Sequence, residues 1–123
     1  MEWYFRNDQP IYTQLTQQIT LAILSGSIPS GGRLPTVREL AAEAGVNPNT
    51  MQRAITQLET LGLVTTNRTL GRTVTEDAAA LEKMRRRLAV ECTEDFFKDM
   101  KALGYTRGEA ADMAQAERDR NDE

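Results

Sequence analysis

Apolar residues recur along most of the chain at spacings of three and four, the period of a helix that buries one side. Ile11, Leu15, Ile19, Ala22 and Ile23 form the first stripe. It predicts a helix from Gln9 or Pro10 to Gly26, with Asp8 as N-cap. Serines and glycines on both sides of Ile28-Pro29 make 25–34 a turn-rich connection. Val37, Leu40, Ala41 and Ala44 give a short second helix an apolar side, and Thr36 with Glu39 has capping-box spacing at its start. Gly45 suits a sharp turn, Asn47 an N-cap and Pro48 the first position of a third helix that runs to about Leu61. In that helix Met51, Ala54, Ile55, Leu58 and Leu61 share the buried face, leaving Asn49, Gln52, Arg53 and Thr56 pointing elsewhere.

After Gly62 the pattern changes to alternation. Leu63–Thr66 and Thr73–Thr75 read as strands around a loop at 67–72, a β-hairpin. The helical period then returns over 77–103, where Leu81, Met84, Leu88, Cys92, Phe96, Met100 and Leu103 form a stripe widened by Ala89, Val90 and Phe97. Asp77 can cap this helix and Gly104 can end it. Thr106 and Glu109 make a second capping box, followed by a helix from about Arg107 to Glu117 with a shallow face of Ala110, Ala111, Met113 and Ala114, and then a charged tail over 118–123. At the other end, residues 1–8 form an extended arm in which Trp3 and Phe5 alternate with polar neighbours. Packing on the domain, or across a dimer contact, is the plainer role for these aromatics than ligand binding.

The expected fold is mostly α: a winged helix-turn-helix of three helices plus a hairpin wing over 1–75, then a helical dimerisation hairpin over 76–123. A helix–glycine turn–helix whose second helix presents amides, hydroxyls and an arginine is the pattern of a DNA-reading motif. The composition changes this picture in three ways. The net charge of −3 argues weakly against nucleic acid. It is unevenly spread, however: residues 1–75 hold six arginines against five acidic residues, and the acidity lies in 76–123. The chain has no histidine, which removes His-based metal sites and general bases. A single cysteine, Cys92, permits no intrachain disulfide, fits a reducing compartment and reads as a small buried apolar residue. No apolar run reaches spanning length and no signal-peptide pattern opens the chain, so a cytoplasmic protein is expected.

In the reading helix, Asn49, Gln52 and Arg53 are the candidates for base edges, because Asn or Gln pairs with adenine and Arg with guanine. Arg38 suits a backbone phosphate, and Thr36 and Thr50 can add hydroxyl contacts, though capping or packing serves Thr50 equally well. The hairpin offers Arg68, Thr69 and Arg72 to phosphates or a minor groove. The run Arg85-Arg86-Arg87 reads as a solvated face. In the last two helices Met84, Phe96, Phe97 and Met100 are more apolar surface than a two-helix hairpin can hide. A two-fold interface with a second copy, through Leu81, Met84, Leu88, Cys92, Phe96, Phe97 and Met100, is favoured over a small-ligand groove. Two other functions compete. A pure protein-interaction scaffold would not need Asn49, Gln52, Arg53 and the arginines of the hairpin together. An enzyme would need a nucleophile–base pair, metal set or phosphate cradle that the sequence does not offer.

Several linked motifs resemble the GntR family of bacterial transcription factors, and its YtrA-type subgroup in particular. They are Pro10-Ile11-Tyr12 with Gln14-Leu15, Gly32 through Ala41, Gly45 through Thr50, Arg53-Ala54, Leu58-Glu59, Gly62-Leu63-Val64 and Gly71-Arg72. The resemblance covers residues 8–75. It implies a winged helix-turn-helix domain plus a small dimerisation domain, usually a repressor on a palindromic operator. Release by a small-molecule effector is compatible with it, the sequence does not decide whether one binds, and no cofactor is expected. The resemblance also implies DNA contacts from Arg38, from Asn47, Asn49 and Thr50 at the start of the recognition helix, from Arg53, and from Arg68, Thr69, Gly71 and Arg72 in the wing. Pro48 stands where many members have arginine, and Thr69-Leu70-Gly71-Arg72 where the wing is usually Gly-x-Gly-Thr.

Overall fold

The computed structural model describes residues 1–121, in the order α1 (Ile11–Leu24), α2 (Val37–Ala44), α3 (Pro48–Thr60), β1 (Val64–Asn67), β2 (Gly71–Val74), α4 (Ala78–Ala102) and α5 (Arg107–Asn121). Two compact units result, Met1–Lys83 and Met84–Glu123, the second beginning within α4. Helix α5 stays regular through Asn121, and the last residues of the expected charged tail, Asp122 and Glu123, lie outside the described residues.

Most helix ends fall where side chains suit them. Thr36 Oγ1 accepts from the Glu39 N–H at 3.1 Å while Glu39 Oε1 accepts from the Thr36 N–H at 3.1 Å, the reciprocal box that starts α2. Asn47 Oδ1 accepts from the Asn49 N–H at 2.8 Å, and Pro48 needs no partner at the first position of α3. Asp77 Oδ1 accepts from the N–H groups of Ala79 and Ala80, and Thr106 with Glu109 repeats the box at α5. Helix α1 is the exception. The sequence assigned its cap to Asp8, but Pro10 occupies the cap position without a side-chain bond, and the Asp8 carboxylate pairs with Arg6 instead. The proline holds the chain extended up to Ile11, which leaves Asp8 too far back to reach the first turn.

The core of the first unit gathers Leu15, Ile19 and Ile23 of α1, Leu40 and Ala41 of α2, and Met51, Ala54, Ile55 and Leu58 of α3, closed by Leu34, Leu63, Val64 and Val74. Gly45 turns α2 into α3 at φ 71°, a left-handed conformation that costs a glycine little. Strands β1 and β2 pair antiparallel from Val64↔Val74 to Asn67↔Gly71. The 25–34 connection ends in more structure than its glycines and serines suggest. Arg33 bridges Thr73, the Leu34 N–H donates to the Arg72 carbonyl at 2.9 Å, and the Val74 N–H donates to the Gly32 carbonyl at 2.9 Å. Thus β2 is paired along both edges. Gly32 makes this possible, because a Cβ there would come within 2.7 Å of the Pro29 carbonyl oxygen.

The N-terminal arm lies on the helices through amide side chains. The Arg6 N–H donates to Gln14 Oε1 at 2.7 Å and Gln14 Nε2 returns a bond to the Arg6 carbonyl at 2.8 Å, while Gln18 makes the same pair of bonds with Tyr4. The rings of Trp3 and Phe5 stack at 6.4 Å, both half-buried, and Trp3 Nε1 donates to Glu43 of α2 at 3.1 Å. Packing on the domain therefore accounts for both aromatics.

In the second unit, Ala110 of α5 is buried, whereas α4 has no buried residue along its whole length. Phe96 and Phe97 meet edge to face at 5.2 Å, and the Arg107 guanidinium covers the Phe97 ring at 4.2 Å. Phe96, Met100, Met113 and Ala114 line an open groove of about 540 Å³ whose far end carries Glu117 and Arg118.

Candidate nucleic-acid interface

Capping fixes where α3 begins, and its apolar stripe fixes which way it faces. With Met51, Ala54, Ile55 and Leu58 all buried, Asn49, Gln52, Arg53 and Thr56 are exposed together along one side. Asn47 has its Oδ1 committed to the cap, which leaves its amide N–H groups to the outside. Thr50 is half-buried. Gln52 Nε2 reaches Thr56 Oγ1 at 3.3 Å, a long bond that an incoming base edge could replace. Arg53 is held differently: its guanidinium carbon stands 3.7 Å from the centroid of the Tyr12 ring in α1.

Thr36 and Arg38 lie at the start of α2. The Thr36 hydroxyl serves the capping box, accepting from the Glu39 N–H and helping to hold the Glu39 carboxylate, so a phosphate would share it with Glu39. Arg38 is exposed, with no carboxylate paired to it among the described residues. The Glu39 carboxyl is held below its ordinary value of 4.5, chiefly by the Thr36 N–H, then by the Thr36 hydroxyl, with the nearby positive charge of Arg33 adding to them. A lowered folded-state pKa means that the cap's contribution is complete above the unfolded value and is lost as pH falls through the folded one. The first turn of α2 is thus expected to fray as pH falls through that lowered value. Glu39→Gln should abolish that pH dependence, and amide exchange at Thr36 and Glu39 near neutral and acid pH checks it.

The wing separates residues that the sequence placed together. Arg68 and Thr69 are exposed at the turn, where Asn67 Oδ1 accepts from the N–H groups of Thr69 and Leu70, and Gly71 follows at φ 79°. Arg72 is not at the tip. It lies in β2 opposite Thr66, half-buried, with its Nε 3.4 Å from Glu59 Oε1. The other Glu59 oxygen accepts from the Thr66 hydroxyl at 2.7 Å, so this carboxylate of α3 holds both strands of the hairpin. Each bond is expected to contribute about 0.5–1.5 kcal/mol, the ion pair at the low end because both partners are about a third exposed. Glu59→Ala should lower stability by about 1 kcal/mol. It should also speed amide exchange across the Thr65↔Thr73 and Thr66↔Arg72 pairs; unchanged exchange there would show that the wing stands without the clamp.

Tyr12, Arg33 and Glu59 are thus neighbours of the expected contacts that sequence reasoning did not assign. The exposed Arg33 lies beside the wing, with its Nε 3.8 Å from where a Cβ on Gly71 would stand. Only the pairing of Arg33 with Thr73 brings it there, and no local signal announces that bridge. Among the described residues no three His, Cys, Asp or Glu side chains assemble as a metal site, and no helix is long and apolar enough to cross a membrane.

The family model described as bacterial regulatory proteins, gntR family, matches residues 11–74. The chain is 38% identical to the uncharacterized HTH-type transcriptional regulator YhcF of Bacillus subtilis over 89% of this chain and 90% of that protein. With the HTH-type transcriptional repressor YtrA of the same organism it shares 41% identity over 59% of this chain and 56% of the repressor. Among solved structures, a GntR family transcriptional regulator from Listeria monocytogenes superposes with a TM-score of 0.82 at 34% identity, over 91% of this chain and 98% of the other. The DNA-binding domain of AraR, solved in complex with operator ORX1, superposes with a TM-score of 0.55 at 29% identity, over 61% of this chain and 96% of that domain.

Proposed function

Since this chain belongs to the GntR family of bacterial transcription regulators, with its DNA-binding winged helix-turn-helix, we propose that it is a homodimeric, sequence-specific repressor of a palindromic operator. The observation that carries this reading is the exposed row Asn49, Gln52, Arg53 and Thr56 on a helix whose opposite face is buried, beside a wing clamped to that same helix by Glu59. In this reading α3 enters the major groove. Asn49, Gln52 and Arg53 meet base edges, with Asn47 and Thr50 at the entry of the helix. Thr36 and Arg38 hold a phosphate, and Arg68, Thr69 and the Gly71 backbone reach the adjacent backbone or minor groove. Arg72 contributes mainly by fixing the wing, because its guanidinium already faces Glu59.

Dimerisation through α4 is supported by an apolar stripe of which no residue is fully buried in the single chain. Cys92, expected to be buried, is exposed, as is Phe96; Leu81, Met84, Leu88, Phe97 and Met100 are half-buried. A second copy would cover this face and set two recognition helices on one duplex. The sign of regulation is taken from the relative named a repressor. The groove lined by Phe96, Met100 and Met113 offers room for a small-molecule effector that would alter the dimer. Acting on the chromosome, the protein would work in the cytoplasm.

Selection of duplexes from a randomised library by the purified protein tests this reading. An enriched inverted repeat with half-site centres about one helical turn, or a multiple of it, apart is the expected outcome. No enrichment over the starting library would contradict sequence-specific binding.

A further inference from the structure

We propose that Tyr12 is a specificity-determining positioning residue, which sets the Arg53 guanidinium for a base edge; the proposal rests on the reading of α3 given above. Arg53 combines two features. Its guanidinium lies over an aromatic face, 3.7 Å from the Tyr12 centroid, and no carboxylate among the described residues pairs with it. Four acids of this unit are engaged with other groups: Asp8 with Arg6, Glu39 in its capping box, Glu43 with Trp3, and Glu59 with Thr66 and Arg72.

A carboxylate would spend the in-plane N–H donors of the arginine and cancel its charge. A ring face does neither. Stacking uses the π surface of the guanidinium and leaves its donor fork free in the plane. It also removes rotamer freedom from a long exposed side chain before any ligand arrives, so less entropy is lost on binding. The contact is not required to join α1 to α3, since Leu15, Ile19, Met51 and Ile55 are each no more than 1% exposed between those helices. An exposed arginine parked on a half-buried ring therefore serves orientation, and the group that best uses an oriented donor fork is the O6/N7 edge of guanine.

The test compares wild type, Tyr12→Leu, Tyr12→Phe, Arg53→Ala and the Tyr12→Leu/Arg53→Ala double variant. The probes are a duplex enriched from a randomised library by the wild-type protein and a random duplex of equal length. Tyr12→Leu should weaken binding to the enriched duplex about 2- to 5-fold per half-site and leave the random duplex unchanged. Tyr12→Phe keeps the ring face and should bind both as wild type. In the Arg53→Ala background, Tyr12→Leu should add no further loss. Equal loss on both duplexes, a Phe variant as weak as the Leu variant, or a Leu effect that persists without Arg53 would each overturn the proposal. Should Tyr12→Leu lower the melting temperature, Tyr12→Met, unbranched and equally without a ring, replaces it. If Arg53→Ala itself left preference for the enriched duplex intact, the base-reading role of Arg53 would fail, an outcome separate from any result at Tyr12.

Discussion

Cys92→Glu is expected to leave the chain folded, halve its mass in solution and lower affinity for an enriched palindromic duplex by at least about 100-fold. Cys92 is exposed in the single chain, so a carboxylate there meets water and costs the monomer little. In a two-fold dimer formed through α4, each copy would bring its own charge to the same apolar interface, where an unpaired carboxylate is strongly disfavoured. The size of the effect follows from linkage: two half-site contacts held in one molecule gain a factor of about 10²–10⁴ over one. Light scattering gives the mass and a titration gives the affinity. A dimeric variant with unchanged binding would place the interface on another face.

The second large effect separates two arginines to which the sequence already assigns different contacts. Arg53→Ala is expected to cost about 1–3 kcal/mol per half-site on the enriched duplex and to relax the preference at one base pair. Arg38→Ala should weaken enriched and random duplexes by the same factor and lower the slope of log affinity against log salt by about one per half-site. The distinction comes from placement. Arg53 stands in the exposed row of α3, whereas Arg38 stands at the start of the preceding helix, beside the Thr36 cap. If Arg38→Ala changed sequence preference alone, its assignment to a phosphate would be wrong.

Where local chemistry decides structure, the sequence was legible. The box at Thr36 and Glu39, the cap at Asn47, the glycine turn at Gly45 and the stripe Met51, Ala54, Ile55 and Leu58 all act within one or two turns, and together they orient α3. The hairpin followed from β-branched alternation around Gly71. What sequence missed depends on partners far along the chain. Arg72 reads as a tip residue until Glu59 of α3 is seen to hold it. The run near Arg33 reads as a loop until β2 supplies its pairing. Tyr12 reads as one more residue of α1 until Arg53 lies over its ring. Asp8 failed as a cap for a local reason that was visible but outweighed: Pro10 takes the cap position and Arg6 takes the carboxylate. The exposed face of α4 was anticipated as an excess of apolar surface, although Cys92, expected to be buried, is exposed.

A dimer that presents the exposed row of α3 twice should read a DNA sequence. In a mobility-shift titration at two salt concentrations, the enriched duplex should give a salt-sensitive shift that saturates at two chains per duplex. Its scrambled counterpart should bind at least about 1,000-fold more weakly at near-physiological salt. Equal binding to both duplexes, or saturation at one chain per duplex, would rule out a dimeric reader of sequence.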